Sequence, residues 1–402
     1  MSEVRVCARD ECDALFQANT HNQIYCSHEC KREADNERKR EYRAYHSTLS
    51  MTEPEPPEFY GVDDSMEDPD HVEFLRKENQ RLSRLAEKRY REQEELVHAL
   101  REGMERALSR IDIKPVRPPK PHSGGTQSSE EIANPVCTDW HDGKRTPTFN
   151  PDVLEERVHL FADKVIRLTD IQRTDHPVNG AHLYMLGDMM DGEQIFPSQP
   201  FQVTGSLFAQ MSHFIDLSVD FIRRLLSHFE YVKFVGVPGN HTFIGGRKAG
   251  VSLNPETNFD RMAYQFLSKV FDSEPRVSFQ IPQGDGETGY YTVDRVGRFG
   301  QLLVHGNQFG KPTSYLSYAR KILGWKAGAI PEDFNSVVCG HWHQNAKQTF
   351  DTVVLRMVGS PESDNLYAQE LLGARGRPSQ HMQFISPKRG VTAEYDCYLD
   401  EG

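Results

Sequence analysis

No run of about 18 apolar residues occurs in the 402-residue chain, so no membrane-spanning helix is expected. The opening stretch, MSEVRVCARDEC, lacks the apolar core of a secretory signal. Positive charge is in deficit: 47 Lys and Arg stand against 59 Asp and Glu, a formal net charge of −12. That excludes a surface suited to nucleic acid all over and leaves room only for a local basic stripe. Cysteine is scarce and odd in number. Of seven, four lie at Cys7, Cys12, Cys26 and Cys30, while Cys137, Cys339 and Cys397 are scattered. Reduced thiols in a cytoplasmic protein with one clustered metal site fit this usage better than a disulfide framework. No internal repeat is present.

What is there falls into zones. Residues 1–48 carry the cysteine cluster and then a charged helical run, CKREADNERKREYRAYH. Residues 49–70 are acidic, Pro-rich and aperiodic, which reads as a linker. In residues 71–112 proline is absent, and Val72, Leu75, Asn79, Leu82 and Ala86 keep heptad spacing. This predicts a long amphipathic helix, either a short coiled coil pairing two copies of the chain or a single helix packed on the catalytic domain. The register degrades at Arg89 and Gly103. Residues 113–131 are rich in Pro, Gly and Ser, a second linker. From 132 to 402 short apolar runs (NPVCTD, AHLYMLGD, YVKFVGVPG, GYYTVDRV, RFGQLLVHG, SVVCGH, TVVLRMVG) alternate with helical patterns at 153–170 and 205–229. Such alternation predicts an α/β domain, and residues 381–400 suit a final hairpin.

Five of these segments share one grammar: an apolar strand runs straight into polar residues of metal-ligand type. They are Asp139-Trp-His141, Gly187-Asp188-Met-Met-Asp191-Gly192, Gly239-Asn240-His241, His305-Gly306 and Gly340-His341-Trp-His343. Sites in open α/β sheets form outside the carboxyl ends of strands, so five such ends can converge. In D-x-H and H-x-H, residues i and i+2 of an extended or tightly turning segment face the same way. Mixed nitrogen and oxygen donors suit manganese, iron or zinc. Each motif alone would as readily be a turn or a satisfied histidine; the ordered set is what argues for a site. Lys144 and Arg145 follow the first motif and suit either a phosphate contact or a solvated loop.

The ordered set resembles the calcineurin-like metallophosphoesterase superfamily, over about residues 132–400. The resemblance implies two packed mixed β-sheets flanked by helices, with a dinuclear metal centre at the strand ends. It implies that Asp139, His141 and His343 hold one ion, that Asn240, His305 and His341 hold the other, and that Asp188 bridges both. His241 would stand beside the substrate and protonate the leaving oxygen or steady the transition state. Asp191 is expected to orient a ligand rather than bind an ion. One position departs from the pattern: many members carry an acid after the G-N-H motif, where it orients the histidine, and here Thr242 stands there.

Cys7-x4-Cys12 and Cys26-x3-Cys30 make two knuckles, the usual arrangement for one structural zinc. The stretch around Cys26 and Cys30 resembles small treble-clef zinc fingers; His21 and His28 are possible substitute ligands. The following helix carries Lys31, Arg32, Arg38, Lys39, Arg40 and Arg43 among four acidic residues. It suits either DNA contact or a solvated, salt-bridged face. The expected function is hydrolysis of phosphate esters by a metal-activated water, with DNA favoured as substrate in the manner of repair exonucleases. The alternative is an enzyme on small or protein phosphates whose finger makes protein contacts. A metal-binding scaffold without activity is disfavoured by the complete ligand set.

Overall fold

A computed structural model of the chain describes residues 4–7, 12, 14–17, 24–27, 29–34, 77–85, 88, 95, 98–99, 101–104, 106, 114–122, 129–193, 195, 199–243, 257–282, 289–309, 315–364 and 376–400. Two compact units make up the chain, Met1–Leu82 and Ser83–Gly402. The expected linker at 49–70, His21, His28 and the basic residues at 38–43 lie outside the described residues.

In the first unit β1 (Val4–Val6) pairs antiparallel with β2 (Leu15–Gln17). The Cys7 amide donates to the Ala14 carbonyl at 3.0 Å, which brings the first cysteine back beside the strand pair. Residues 29–34 are helical and carry Cys30 at the start of that turn.

The second unit is built on two mixed sheets. Six strands run in the order β13-β12-β3-β4-β5-β6, comprising β3 (Ile132–Cys137), β4 (Gly180–Met185), β5 (Tyr231–Gly236), β6 (Val277–Gln280), β12 (Ser379–Ser386) and β13 (Gly390–Tyr398). The first three of these in chain order, with β6, are parallel; β12 and β13 form the antiparallel edge. The other sheet has the order β10-β11-β9-β8-β7, from β7 (Tyr291–Val296), β8 (Phe299–Val304), β9 (Ser336–Cys339), β10 (Ala346–Phe350) and β11 (Val353–Met357). This is the helix-flanked pair of mixed sheets that the resemblance implies.

Three layers of apolar burial hold the unit together. Val136, Tyr184, Leu186, Val235, Val237, Leu303, Val338 and Val358 fill the space between the sheets. Helices α1 (Pro151–Gln172), α2 (Leu207–His228) and α3 (Phe259–Val270) cover the six-stranded sheet, with Phe161, Phe214, Phe221 and Tyr264 fully buried. Asn150, Ser206 and Asn258 cap these helices through their side chains. Helix α4 (Tyr315–Gly324) and the turn after it bury Ile322 and Trp325 with the five-stranded sheet. Because helices cover both outer faces, the central strands are buried on both sides and read as near-continuous apolar runs.

Pro135 sits inside a central strand, where its missing N–H would orphan an acceptor. The side-chain amide of Asn134 bonds the His182 carbonyl on β4 instead. A second polar device crosses between the sheets. The buried Asp294 carboxylate of β7 meets His182 Nδ1 at 2.6 Å and accepts from the Tyr184 hydroxyl at 2.7 Å and Lys233 Nζ at 2.6 Å, all three on the other sheet.

The stretch read as a second linker has no regular structure at 114–122 yet is tied to this unit. Arg223 donates to the Lys114 carbonyl, and Arg276 to that of Val116. The expected long helix is helical at 77–85 and 101–104, and Met104 is buried in the core of the second unit. Among the described residues no helix is long and apolar enough to cross a membrane.

Candidate metal centre

Past the end of β3 the chain does not leave β4. The backbone ladder continues as Asp139 N to Gly187 O (3.1 Å), His141 N to Asp188 O (3.0 Å) and Asp142 N to Met189 O (3.0 Å). The D-x-H and G-D-x-x-D motifs are thereby zipped together. From the other sheet, the His341 amide donates to Asp139 Oδ2 at 2.8 Å, and Gly340 donates to the His305 carbonyl. The His241 amide donates to Asp188 Oδ1 at 2.7 Å. All five motifs therefore meet at one place, where the carboxyl ends of both sheets adjoin.

Of the seven non-glycine residues with positive φ among those described, five belong to these motifs: Asp139 (52°), His141 (46°), Asp188 (52°), His341 (68°) and His343 (51°). Each such residue costs of order 1–3 kcal/mol, and such strain collects at functional sites. It turns side chains inward that an extended strand end would send past one another. Close approach sets the glycines: a Cβ on Gly239 would collide with Asp188, and one on Gly340 with Thr138 and Asp139.

Two groups of donors result. His141 Nε2 faces His343 Nε2 at 3.1 Å, with Asp139 Oδ1 at 3.8 and 3.3 Å from them. His305 Nε2 lies 3.1 Å from His341 Nδ1 and 2.8 Å from Asp188 Oδ2. In the first group His141 Nδ1 is hydrogen-bonded to Asp191 Oδ1 at 3.0 Å, and His343 Nδ1 makes an ion-pair contact with Glu362 Oε2 at 3.2 Å. His305 Nδ1 donates to the Leu186 carbonyl at 2.7 Å. An ionised carboxylate or a carbonyl only accepts, so in His141 and His305 the Nδ1 atom carries a proton and Nε2 is the atom left to donate an electron pair when the ring is neutral.

Electron pairs pointed at one another repel unless a proton or a cation lies between them. Two nitrogens sharing an ion at 2.0–2.1 Å stand roughly 3–3.4 Å apart, which is the spacing of both pairs. Asp139 Oδ1 and Asn240 Oδ1 are buried with no hydrogen-bond partner, and an orphaned buried acceptor calls for an explanation. The residues present thus fit divalent ions. Without them, protons do the work. Burial pulls His305 and His343 down, but Asp188 and Asp139 more than offset it and hold them at about 9 and about 10. Burial would raise Asp139, yet His343 brings it to about 2, and Asp188 is likewise held well below the usual range. Burial and the charge of His305 push His341 down to about 3.

His241 lies at the edge of the cluster. Its Nδ1 is 3.0 Å from the Asp191 carbonyl and 3.5 Å from Asp191 Oδ1, and its Nε2 is 4.0 Å from Asp188 Oδ2. Burial opposes its charge, while Asp188 and Asp191 outweigh burial and raise its pKa. Asp191 thus contacts two site histidines and supplies the carboxylate that Thr242 cannot. Thr242 is buried instead at the start of α3, where its hydroxyl accepts from the Asp260 amide.

Three participants were not singled out in the sequence. Glu362 is 3.2 Å from His343 and 2.7 Å from Lys144 Nζ. Asp260 accepts from the amides of Asp188, Met189 and Gly239, fastening two ligand loops; burial and the charge of Asp188 raise it to about 6. Gln199 donates to the Asp191 carbonyl at 2.6 Å. Only Glu362 left a signal: it follows the apolar strand β11, the grammar of the five motifs. Lys144 is neither solvated nor free for phosphate, being paired with Glu362; Arg145 is exposed.

In the first unit the four cysteines come together. Cys26 Sγ is 3.4 Å from Cys30 Sγ and 3.7 Å from Cys12 Sγ, Cys30 and Cys12 are 3.7 Å apart, and the Cys26 amide reaches Cys7 Sγ at 3.4 Å. Sulfurs around one tetrahedral zinc at 2.3 Å stand about 3.8 Å apart, so the cluster is compatible with a zinc finger.

A scan against protein-family models matches none, and a search of curated proteins finds no match. Solved structures align with about two thirds of the chain. An archaeal phosphodiesterase aligns over 66% of this chain and 99% of its own, at 12% identity and a TM-score of 0.31. Vacuolar protein sorting 29 from Cryptosporidium parvum covers 67% and 99%, at 13% identity and 0.31. A putative 5'-nucleotidase from Staphylococcus aureus covers 68% and 55%, at 11% identity and 0.32.

Proposed function

We propose that this chain is a two-metal phosphoesterase that hydrolyses phosphodiesters, with DNA as its substrate. The observation that carries the hydrolytic reading is the pair of adjoining donor groups, Asp139-His141-His343 and Asp188-His305-His341, with bare nitrogens facing inward. Asp139, His141 and His343 would hold one ion, and His305, His341 and Asn240 the other, with Asp188 common to both. Manganese is the favoured metal, with iron or zinc as alternatives. Bound there, the ions would supply charge that stabilises phosphoryl oxygens and makes a bound water more acidic.

The chain's own residues do the rest. Asp191 and Glu362 fix the tautomers of His141 and His343. Asp260 holds the Asp188 and Gly239 loops in place. His241, anchored at Nδ1 by Asp191, keeps Nε2 toward the reacting centre with a proton to give, the position required of an acid for the leaving oxygen.

DNA is favoured by the finger-like cysteine cluster, read as holding one structural zinc, and by the basic residues that follow it, Lys31 and Arg32 among those described. The alternative, a small or protein phosphate, is favoured by the net charge of −12. The two are separated by assaying the manganese-loaded chain on single- and double-stranded DNA beside bis-p-nitrophenyl phosphate and p-nitrophenyl phosphate. Cleavage of DNA and the diester supports the proposal. Turnover of the monoester alone overturns DNA as substrate, and no turnover of any ester overturns the enzyme.

A further inference from the structure

We infer that Phe201 stacks on the nucleobase next to the scissile phosphate; this deepens the reading of the site as a phosphodiesterase and rests on it. Phe201 is 88% exposed, the most exposed of the large hydrophobic side chains described. A lone exposed phenylalanine is ordinary. This one is distinguished by where it stands and how firmly it is held.

Phe201 closes the 3₁₀ turn Gln199–Phe201. Gln199, at the other end of that turn, is fully buried: its Nε2 donates to the Asp191 carbonyl at 2.6 Å and to Asp191 Oδ2 at 3.2 Å, and lies 3.4 Å from His241 Nδ1. Two residues of a 3₁₀ turn advance about 4 Å, so Phe201 stands one short step from the residue that touches the leaving-group histidine. On its other side the chain is stitched to the segment after the first ligand motif. Arg145 N donates to the Gln202 carbonyl at 2.8 Å, Thr204 N to the Gly143 carbonyl at 2.5 Å, and Val203 bridges Lys144. The turn is fixed at both ends, yet the ring it carries faces water.

A phenyl ring has no hydrogen-bonding atom and recognises only a flat or apolar group. The exposed Arg145 on the adjoining segment supplies a cation for a neighbouring phosphate. An exposed aromatic ring, with an exposed arginine on the segment whose backbone bonds the residue next to it, offers the stacking and the charge by which single-stranded nucleic acid is bound. A nucleobase flanking the cleaved bond fits it, and stacking would hold that base without reading its identity.

The test uses the full chain and a labelled oligothymidylate, with affinity measured by fluorescence anisotropy both with manganese and after chelation. Phe201→Ala and Phe201→Leu should each weaken binding about tenfold, within the range found for removal of one stacking aromatic; Phe201→Trp should retain it. Replacing single nucleotides by abasic residues should reveal one position at which the alanine variant and wild type become equal. Equal affinity of Phe201→Ala and wild type, retention of binding by Phe201→Leu, or no oligonucleotide binding by wild type would overturn the stacking role. Hydrolysis of bis-p-nitrophenyl phosphate by wild type is measured in parallel. If it is present while Phe201→Ala binds normally, the stacking role alone falls; if it is absent while Phe201→Ala loses binding, the enzymatic reading falls and the stacking residue stands.

Discussion

The imidazoles of His141 and His343, 202 residues apart in sequence, face each other at 3.1 Å through their Nε2 atoms. His141 has its other nitrogen hydrogen-bonded to Asp191, and that of His343 lies 3.2 Å from Glu362 Oε2. On the proposed reading both histidines serve one ion, so they should not be independent. His141→Ala and His343→Ala should each lower the manganese content of the second unit from about two ions to about one. The double variant should bind no less than either single one, because the ion is lost once. Metal analysis after dialysis reads this directly, and a double variant retaining two ions would contradict it.

Glu362 orients His343 without reaching the inward nitrogen. Partners of this kind change metal affinity by 10–100-fold when replaced. Glu362→Gln should weaken manganese binding by about that much in isothermal titration at one of two sites, and Glu362→Asp should recover part of it. An unaltered titration curve would remove Glu362 from the centre.

On the proposed reading His241 delivers a proton rather than holding metal. His241→Ala should lower turnover by about 10²–10⁴-fold on a diester with a poor leaving group. The loss should shrink for p-nitrophenolate, which leaves without protonation. Metal content should match wild type. Equal losses on both esters would show that His241 does not act as the acid.

Asp294 ties the two sheets far from the ligand motifs. Burial would raise its pKa, but His182 and Lys233 outweigh burial and hold it at about 2. A carboxylate depressed below its unfolded value near 3.9 gives stability that is fully present above that value and is lost as pH falls toward 2. The difference between those two values corresponds to about 2–3 kcal/mol. Thermal or urea unfolding should therefore show a drop in stability between roughly pH 4 and pH 2, and Asp294→Asn should flatten it while destabilising the protein at neutral pH. A variant whose stability falls as steeply as wild type in that window would place the acid sensitivity elsewhere.

The ligand motifs were legible in the sequence because their signal is local. An apolar run buried on both faces, followed by Asp or His at i and i+2 and a glycine, needs no distant residue to be recognised. For the same reason seven strand segments and helices α1 and α2 could be read directly. Strands β6 and β10 could not: VSFQ is mostly half-buried and AKQTF alternates with polar residues at a sheet edge, so neither carries a continuous apolar run. Helices α3 and α4 are short, 12 and 10 residues, and offer too few turns for a clear apolar periodicity.

Tertiary structure alone decided how the motifs are held. Asp260 reaches Asp188 across 72 residues and Gln199 reaches His241 across 42; strand order and helix packing make those pairs, and no spacing in the chain announces them. Thr242 shows the limit of motif reading: the missing acid beside His241 is supplied by Asp191, a residue already present in another motif, and only the folded loops reveal that it serves both histidines. Sequence sets which atoms are able to bind a metal, because that is a property of each side chain. The fold sets which electron pairs are left bare and which are tied back, because that depends on who stands within about 3 Å.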